Sequence, residues 1–182
     1  LKGAEVEREA RRGEELLKRS VAQGNRYAAY TLGKALLDGD VLAQNLPEAV
    51  RLLTVAADKG FIPAEYMLGK LLYRGEVVKR DIEKALGYLE QASTVKTPNA
   101  AYLAGKIRLS EPEFKDVKKA LRHFEIAAES GNPFAMYQAG RILLREETLK
   151  NVAKAVWYFE NAAKQGNNAA EYQLGKLYLY GK

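Results

Sequence analysis

The chain has 182 residues, a net charge of +6, one histidine and no cysteine. The missing cysteines exclude disulfides, thiolate metal sites and thiol catalysis, and fit a reducing compartment, the cytoplasm. No apolar run approaches the ~18 residues that cross a bilayer and no signal-peptide pattern opens the chain, so no membrane partner is expected.

In chain order, residues 4–24 read as a leading helix ("REARRGEELLKRSVAQGN", 8–25). Four two-helix units follow at 26–60, 62–96, 98–131 and 133–166, and a trailing helix at 168–181 ends the series. The first helix of each unit, here called A, carries "AAYTLGK" (28–34), "AEYMLGK" (64–70), "AAYLAGK" (100–106) or "AMYQAGR" (135–141). The trailing helix carries "AEYQLGK" (170–176). The glycine of this pattern falls at 33, 69, 105, 140 and 175, a nearly fixed period that predicts a helical solenoid. Leu1 in place of Met, and half-units at both ends, read as a fragment of a longer protein.

The second helix, B, starts after Asn45, Asp81, Asp116 or Asn151, residue types whose short side chains cap first-turn amides. Gly24, Gly60, Gly131 and Gly166 close the B segments, as a left-handed residue beyond a helix end requires. From each cap to the next A-helix glycine the distance is 24 residues, which puts the one-residue deletions in the A–B loop. A mid-helix glycine costs about 0.5–1 kcal/mol relative to alanine, so five of them predict close helix approach. Ala49, Ala85, Ala120 and Ala155 are the expected seam on helix B. Ala28, Leu32 and Ala35 are the expected core face of the first A helix. Two departures mark the third unit: Lys96 stands where a closing glycine is expected, and Arg108 and Glu111 replace a leucine and a glycine.

"AEYQLGKLYLYGK" and "DIEKALGYLEQA", with "AAESGN" or "AAKQGN" closing helix B, resemble Sel1-like repeats, relatives of the tetratricopeptide repeat. The resemblance covers essentially the whole chain. It implies an all-α fold, a right-handed α-α superhelix of stacked antiparallel helix pairs, and a non-catalytic protein-protein interaction scaffold. A β-lactamase-like activity claimed for cysteine-rich members of the superfamily is set aside, because their bracing cysteines are missing here.

No phosphate loop, dinucleotide fingerprint or nucleophile elbow is present. His123 shares a column with Leu52, Tyr88 and Tyr158, and without cysteines it assembles no zinc site. Neither cofactor nor metal is expected. Tyr30, Tyr66, Tyr102, Tyr137 and Tyr172 recur on every A helix, followed four residues on by Lys34, Lys70, Lys106, Arg141 and Lys176. The spacing puts each pair on one helix face. In tetratricopeptide relatives the A helices line a concave groove, and residues at matching positions clamp ligand carboxylates. The resemblance therefore implies a groove lined by these ten residues for a protein or peptide partner, acidic or carboxylate-bearing. The other reading is structural, with Tyr filling space between units and Lys snorkelling over it into water.

An alternative partner is nucleic acid. Residues 92–182 carry 14 Lys/Arg against 9 Asp/Glu, and similar repeats resemble the C-terminal regions of plasmid-mobilisation relaxases. Scattered acids (Glu125, Glu129, Glu146, Glu147, Glu160) interrupt any phosphate track. The trailing helix is expected to expose Leu174, Leu177, Tyr178 and Leu179, a surface for homodimers formed through the solenoid ends.

Overall fold

The structure, a computed structural model, describes residues 2–94 and 97–181. Lys96 lies outside the described residues. Among these residues the chain is all helical, with ten α-helices in alternating A and B positions. One compact unit spans Leu1–Ala92 and contains α1 (Lys2–Ala22), α2 (Arg26–Asp38), α3 (Leu46–Asp58), α4 (Ile62–Arg74) and α5 (Ile82–Ala92). A second spans Ser93–Lys182 and contains α6 (Pro98–Ser110), α7 (Val117–Glu129), α8 (Pro133–Arg145), α9 (Val152–Ala163) and α10 (Asn168–Tyr180).

Capping sets the helix starts. Asn45, Asp81, Asp116 and Asn151 each accept, through Oδ1, the backbone N–H three residues on, at 2.9–3.2 Å. Asn25, Asn132 and Asn167 do the same for α2, α8 and α10. The sequence shows these three asparagines as part of a Gly-Asn motif, and their capping role emerges only from the geometry. B-to-A turns pass through Gly24, Gly60, Gly131 and Gly166 at φ between +67° and +83°, where a β-carbon is strained.

The expected seam is present in both units. A β-carbon on Gly33 would lie 3.1 Å from the Ala49 carbonyl oxygen and 3.1 Å from Leu53. On Gly69 it would lie 2.6 Å from Leu89, on Gly105 2.9 Å from Phe124, and on Gly140 2.7 Å from Phe159. The first unit fills its seam with leucines from both helices: Leu32 and Leu68 on A, Leu53 and Leu89 on B. In the second unit the corresponding positions hold Ala104 and Ala139 on A and Phe124 and Phe159 on B, a small-plus-large pairing in place of two leucines. The core face of α2 runs through Ala28, Ala29, Leu32, Gly33 and Leu36. Ala35 is half-buried and Leu36 takes its expected place, because the helical period carries the face from Leu32 to Leu36.

Two loop types account for the change of period. Residues 39–45 and 75–81 start with a left-handed glycine, Gly39 or Gly75. Residues 111–116 and 146–151 are one shorter, start with extended Glu111 or Glu146, and contain a single 3-10 turn. Glu111 is therefore shared with the fourth repeat. Arg108 sits half-buried beneath its loop and donates to the Phe114 carbonyl at 3.3 Å. All four loops close alike, with the cap residue's N–H on a carbonyl of the preceding A helix: Leu36, Leu72, Arg108 or Leu143.

Leu174 and Leu177, expected in the open, are half-buried because they pack back onto the core of the second unit. Tyr178 and Leu179 are exposed as expected, Leu179 by 75%.

Gly175 occupies the seam column yet meets nothing within 4 Å, which separates its packing role from its intrinsic cost. Gly140→Ala should destabilise by about 1–2 kcal/mol, overpacking against Phe159 outweighing the gain in helix propensity. Gly175→Ala should be neutral or stabilise by up to about 1 kcal/mol. Urea melts of the two variants beside the wild type check the opposite signs.

Candidate functional site

The tyrosine column lies at the edge of the core. Tyr30, Tyr66, Tyr102 and Tyr137 are half-buried, and Tyr172 is 65% exposed. Each half-buried ring with a described ring partner rests on a phenylalanine. Tyr30 meets Phe61 at 5.1 Å, Tyr102 meets Phe124 at 5.8 Å and Tyr137 meets Phe159 at 6.0 Å. One ring face thus packs inside while the other borders solvent.

The cation column divides in two. Arg141 lies over the Tyr137 ring at 5.6 Å and donates to Gln138 Oε1 at 3.1 Å; Lys176 lies over Tyr172 at 5.9 Å. Among the described residues the ammonium groups of Lys34, Lys70 and Lys106 make no ion pair or ring contact.

Within the second unit some of these residues converge. A groove of about 460 Å³ is lined by Tyr102, Phe134, Tyr137, Gln138, Asn168 and Ala169, together with the turn before α10. Phe134 projects beside it, 62% exposed. Asn167 fixes one wall: its buried side chain caps α10 through Oδ1 and donates through Nδ2 to the Pro133 carbonyl at 3.2 Å. Among the described residues no carboxylate lines the groove, and Gln138, Gln165 and Asn168 bring side-chain amides to it. Sequence reasoning identified Tyr102 and Tyr137 and, as positions on the same stripe that vary between units, Phe134 and Ala169, but not the glutamines. In the first unit Arg26 does the tying, with Nη1 donating to the Lys59 carbonyl at 3.0 Å beside Tyr27 and Phe61.

The B helices of the second unit carry most of its ion pairs. Lys154 reaches Glu125 at 2.6 Å, and Lys119 lies 3.9 Å from Asp116. The buried Tyr158 hydroxyl beside them is pushed up to about 12, first by burial, then by Glu125 and Glu129. His123 Nδ1 pairs with Ser93 Oγ at 3.0 Å. Among the described residues no group of three or more His, Asp or Glu forms a metal-ligand set, and no helix is long and apolar enough to cross a membrane.

Paired helices joined by glycine turns and repeated along the chain define an α-α repeat protein. The Sel1 repeat family matches residues 1–25, 26–61, 62–94, 98–132, 133–167 and 168–182, so the chain belongs to that family. Sel1 repeat proteins are in general non-catalytic scaffolds that bind other proteins. A protective antigen of uropathogenic Escherichia coli strains with an SLR fold is similar, at 28% identity and a TM-score of 0.79, over 92% of this chain and 36% of its own. A Sel1 repeat protein from Oxalobacter formigenes is also 28% identical, with a TM-score of 0.74, over 90% of this chain and 48% of its own. The chain thus spans about a third of the first relative and about half of the second. Cysteine-rich protein B of Helicobacter pylori, 20% identical with a TM-score of 0.50 over 67% of this chain and 93% of its own, shares the fold alone. Comparison with curated proteins gives no match.

The raised Tyr158 pKa has a definite sign in stability. The unfolded chain loses this proton near pH 10 and the folded chain near 12, so the contribution is complete below pH 10 and lost as pH rises to 12. Its size is on the order of 2 kcal/mol. Between pH 9 and 12 the melting temperature of the wild type should fall more steeply than that of Tyr158→Phe.

Proposed function

We propose that the chain is a non-catalytic scaffold whose second-unit groove holds an extended, acidic segment of a partner protein. The observation that carries this reading is the groove itself. It combines ring faces from Tyr102, Phe134 and Tyr137 with side-chain amides and, among the described residues, no carboxylate, and Arg141 lies beside it. The rings supply rigid contact area, the amides suit an extended backbone, and the guanidinium suits a carboxylate. Lys106, Tyr172 and Lys176 would extend recognition along the A helices of the second unit, and Tyr30, Lys34, Tyr66 and Lys70 present the same chemistry within the first. Free ammonium groups on Lys34, Lys70 and Lys106 favour this, because a cation already paired would have to be released first.

The nucleic-acid alternative has less support in the second unit, where Lys119, Lys150 and Lys154 each lie within 4 Å of a carboxylate.

Selection from a displayed random-peptide library tests the proposal. Asp- and Glu-rich extended sequences should be enriched on the wild type. Arg141→Glu and Tyr137→Ala should each weaken a selected peptide by at least about 10-fold with the fold retained by circular dichroism. Enrichment without acidic bias, or equal binding to the variants, overturns it.

A further inference from the structure

In the first unit a pocket of about 530 Å³ opens between the end of α3, the first turn of α4 and the outer face of α5. Its lining includes Asp58, Glu65, Lys84, Gly87, Tyr88 and Gln91. Glu65 is only 5% exposed, and among the described residues its carboxylate has neither a hydrogen-bond nor an ion-pair partner. Burial alone holds its pKa above the usual carboxylate range. The carboxylate oxygens reach solvent at the pocket, so the cost of burying them is partial; a place in the first turn of α4 suits a negative charge, but among the described residues no protein cation or donor meets it. It is not the N-cap of α4, a position held by Phe61 without a side-chain hydrogen bond.

The repeats supply an internal comparison. At the position of Glu65 the other four A helices have Ala29, Ala101, Met136 and Glu171, and the first three are buried apolar residues. In the second unit larger apolar side chains stand at two of the matching positions, one of them, Trp157, 54% exposed. Met136 stands for Glu65, with Gln165 Nε2 3.6 Å from its sulfur, and Trp157 stands for Gly87, edge-on to Tyr158 at 5.1 Å. A β-carbon on Gly87 would meet nothing within 4 Å. The first unit has no side chain at Gly87 where the second carries an indole, and it has a carboxylate where the second has a thioether.

We propose that this pocket binds a single guanidinium or ammonium group, with Glu65 as its counter-ion. The remaining groups fit a cationic guest. Asp58 contributes a second carboxylate from α3, and the Tyr88 hydroxyl, donating to Asp58 Oδ1 at 3.1 Å, keeps its lone pairs for a donor. The Gln91 amide adds a further acceptor. Among the described residues the cation lining the pocket is Lys84, whose charge is matched by the cap residue before α5, Asp81, at 3.4 Å. The ligand can be a free small cation or an arginine or lysine side chain of a bound protein, and the chemistry recognised is the same. The site is separate from the second-unit groove, so neither proposal depends on the other.

Titration of the folded chain at low salt and pH 7.5 tests this, following the backbone amide resonances of Gly60, Gly87 and Tyr88. Two probes are used: N-acetyl-arginine amide, and a capped Gly-Gly-Arg-Gly-Gly peptide. Saturable shifts centred on these residues are expected. Peptide affinity well above that of the single amino acid identifies a protein segment as the source, and equal affinity identifies a free small cation. Glu65→Gln should weaken binding by at least about 10-fold and Lys84→Ala should strengthen it. The citrulline analogue, which keeps the shape without the charge, should not bind. Affinity should also fall on acidification as Glu65 takes up a proton. Glu65→Met, the residue of the second unit, should abolish binding while raising the melting temperature, which separates loss of the site from loss of the fold. Absence of saturable shifts up to about 50 mM probe, or equal binding by Glu65→Gln or by the citrulline analogue, overturns the proposal.

Discussion

The fold depends on backbone-to-side-chain contact at one point in each helix pair. An A helix presents a glycine, and the B helix that follows it presses a large side chain into the space that a β-carbon would fill, with a carbonyl oxygen beside it at Gly33, Gly69 and Gly105. Helix association is usually driven by apolar side chains interlocking at 8–10 Å. Here four glycines bring the two backbones close enough that the contact tolerates no methyl group, and the alanines at 49, 85, 120 and 155 leave room for it. Everything outward of that seam follows: tyrosines are held at the edge of the core, and the residues beyond them face solvent.

Within this frame the two units reach the same packing by different means. Leucine is paired with leucine in the first and alanine with phenylalanine in the second. The exchange has a consequence at the surface. Tyr102 and Tyr137 lie against the broad rings of Phe124 and Phe159, and they border the groove of the second unit. In the first unit Tyr30 leans instead on Phe61, which takes the position of a capping asparagine. Core composition thus tunes which parts of a repeated surface are recessed.

Much of the architecture was legible in the sequence because it repeats. The glycine column, the B-helix caps and the turn glycines each recur with one physical reason per position, and the structure places them accordingly. What the sequence hid depends on contacts between segments far apart in the chain. Asn167 reads as part of a Gly-Asn motif, and its bond to the Pro133 carbonyl appears only when α8 and α10 are adjacent. Gln138 gains its place through Arg141 and the groove wall. Leu177 looked exposed because a solenoid end without a polar cap leaves apolar surface open, an argument that does not register packing back onto a preceding helix. Glu65 did leave a signal, as a carboxylate in a column of buried apolar residues, but in "AEYMLGK" it reads as one more surface charge.

The loops between A and B helices carry a different kind of information. Seven-residue loops open with a left-handed glycine and six-residue loops with an extended glutamate and a 3-10 turn, yet both return the cap N–H to the same part of the preceding helix. Length is absorbed in these loops, so the 24-residue interval from cap to seam glycine never changes. Helix pairs of 35 and 36 residues are therefore interchangeable parts. A whole pair can be duplicated or deleted in frame, and every remaining seam meets the partner it had before. Repeat number can drift by whole pairs in such a chain while each surviving pocket and groove keeps its own chemistry.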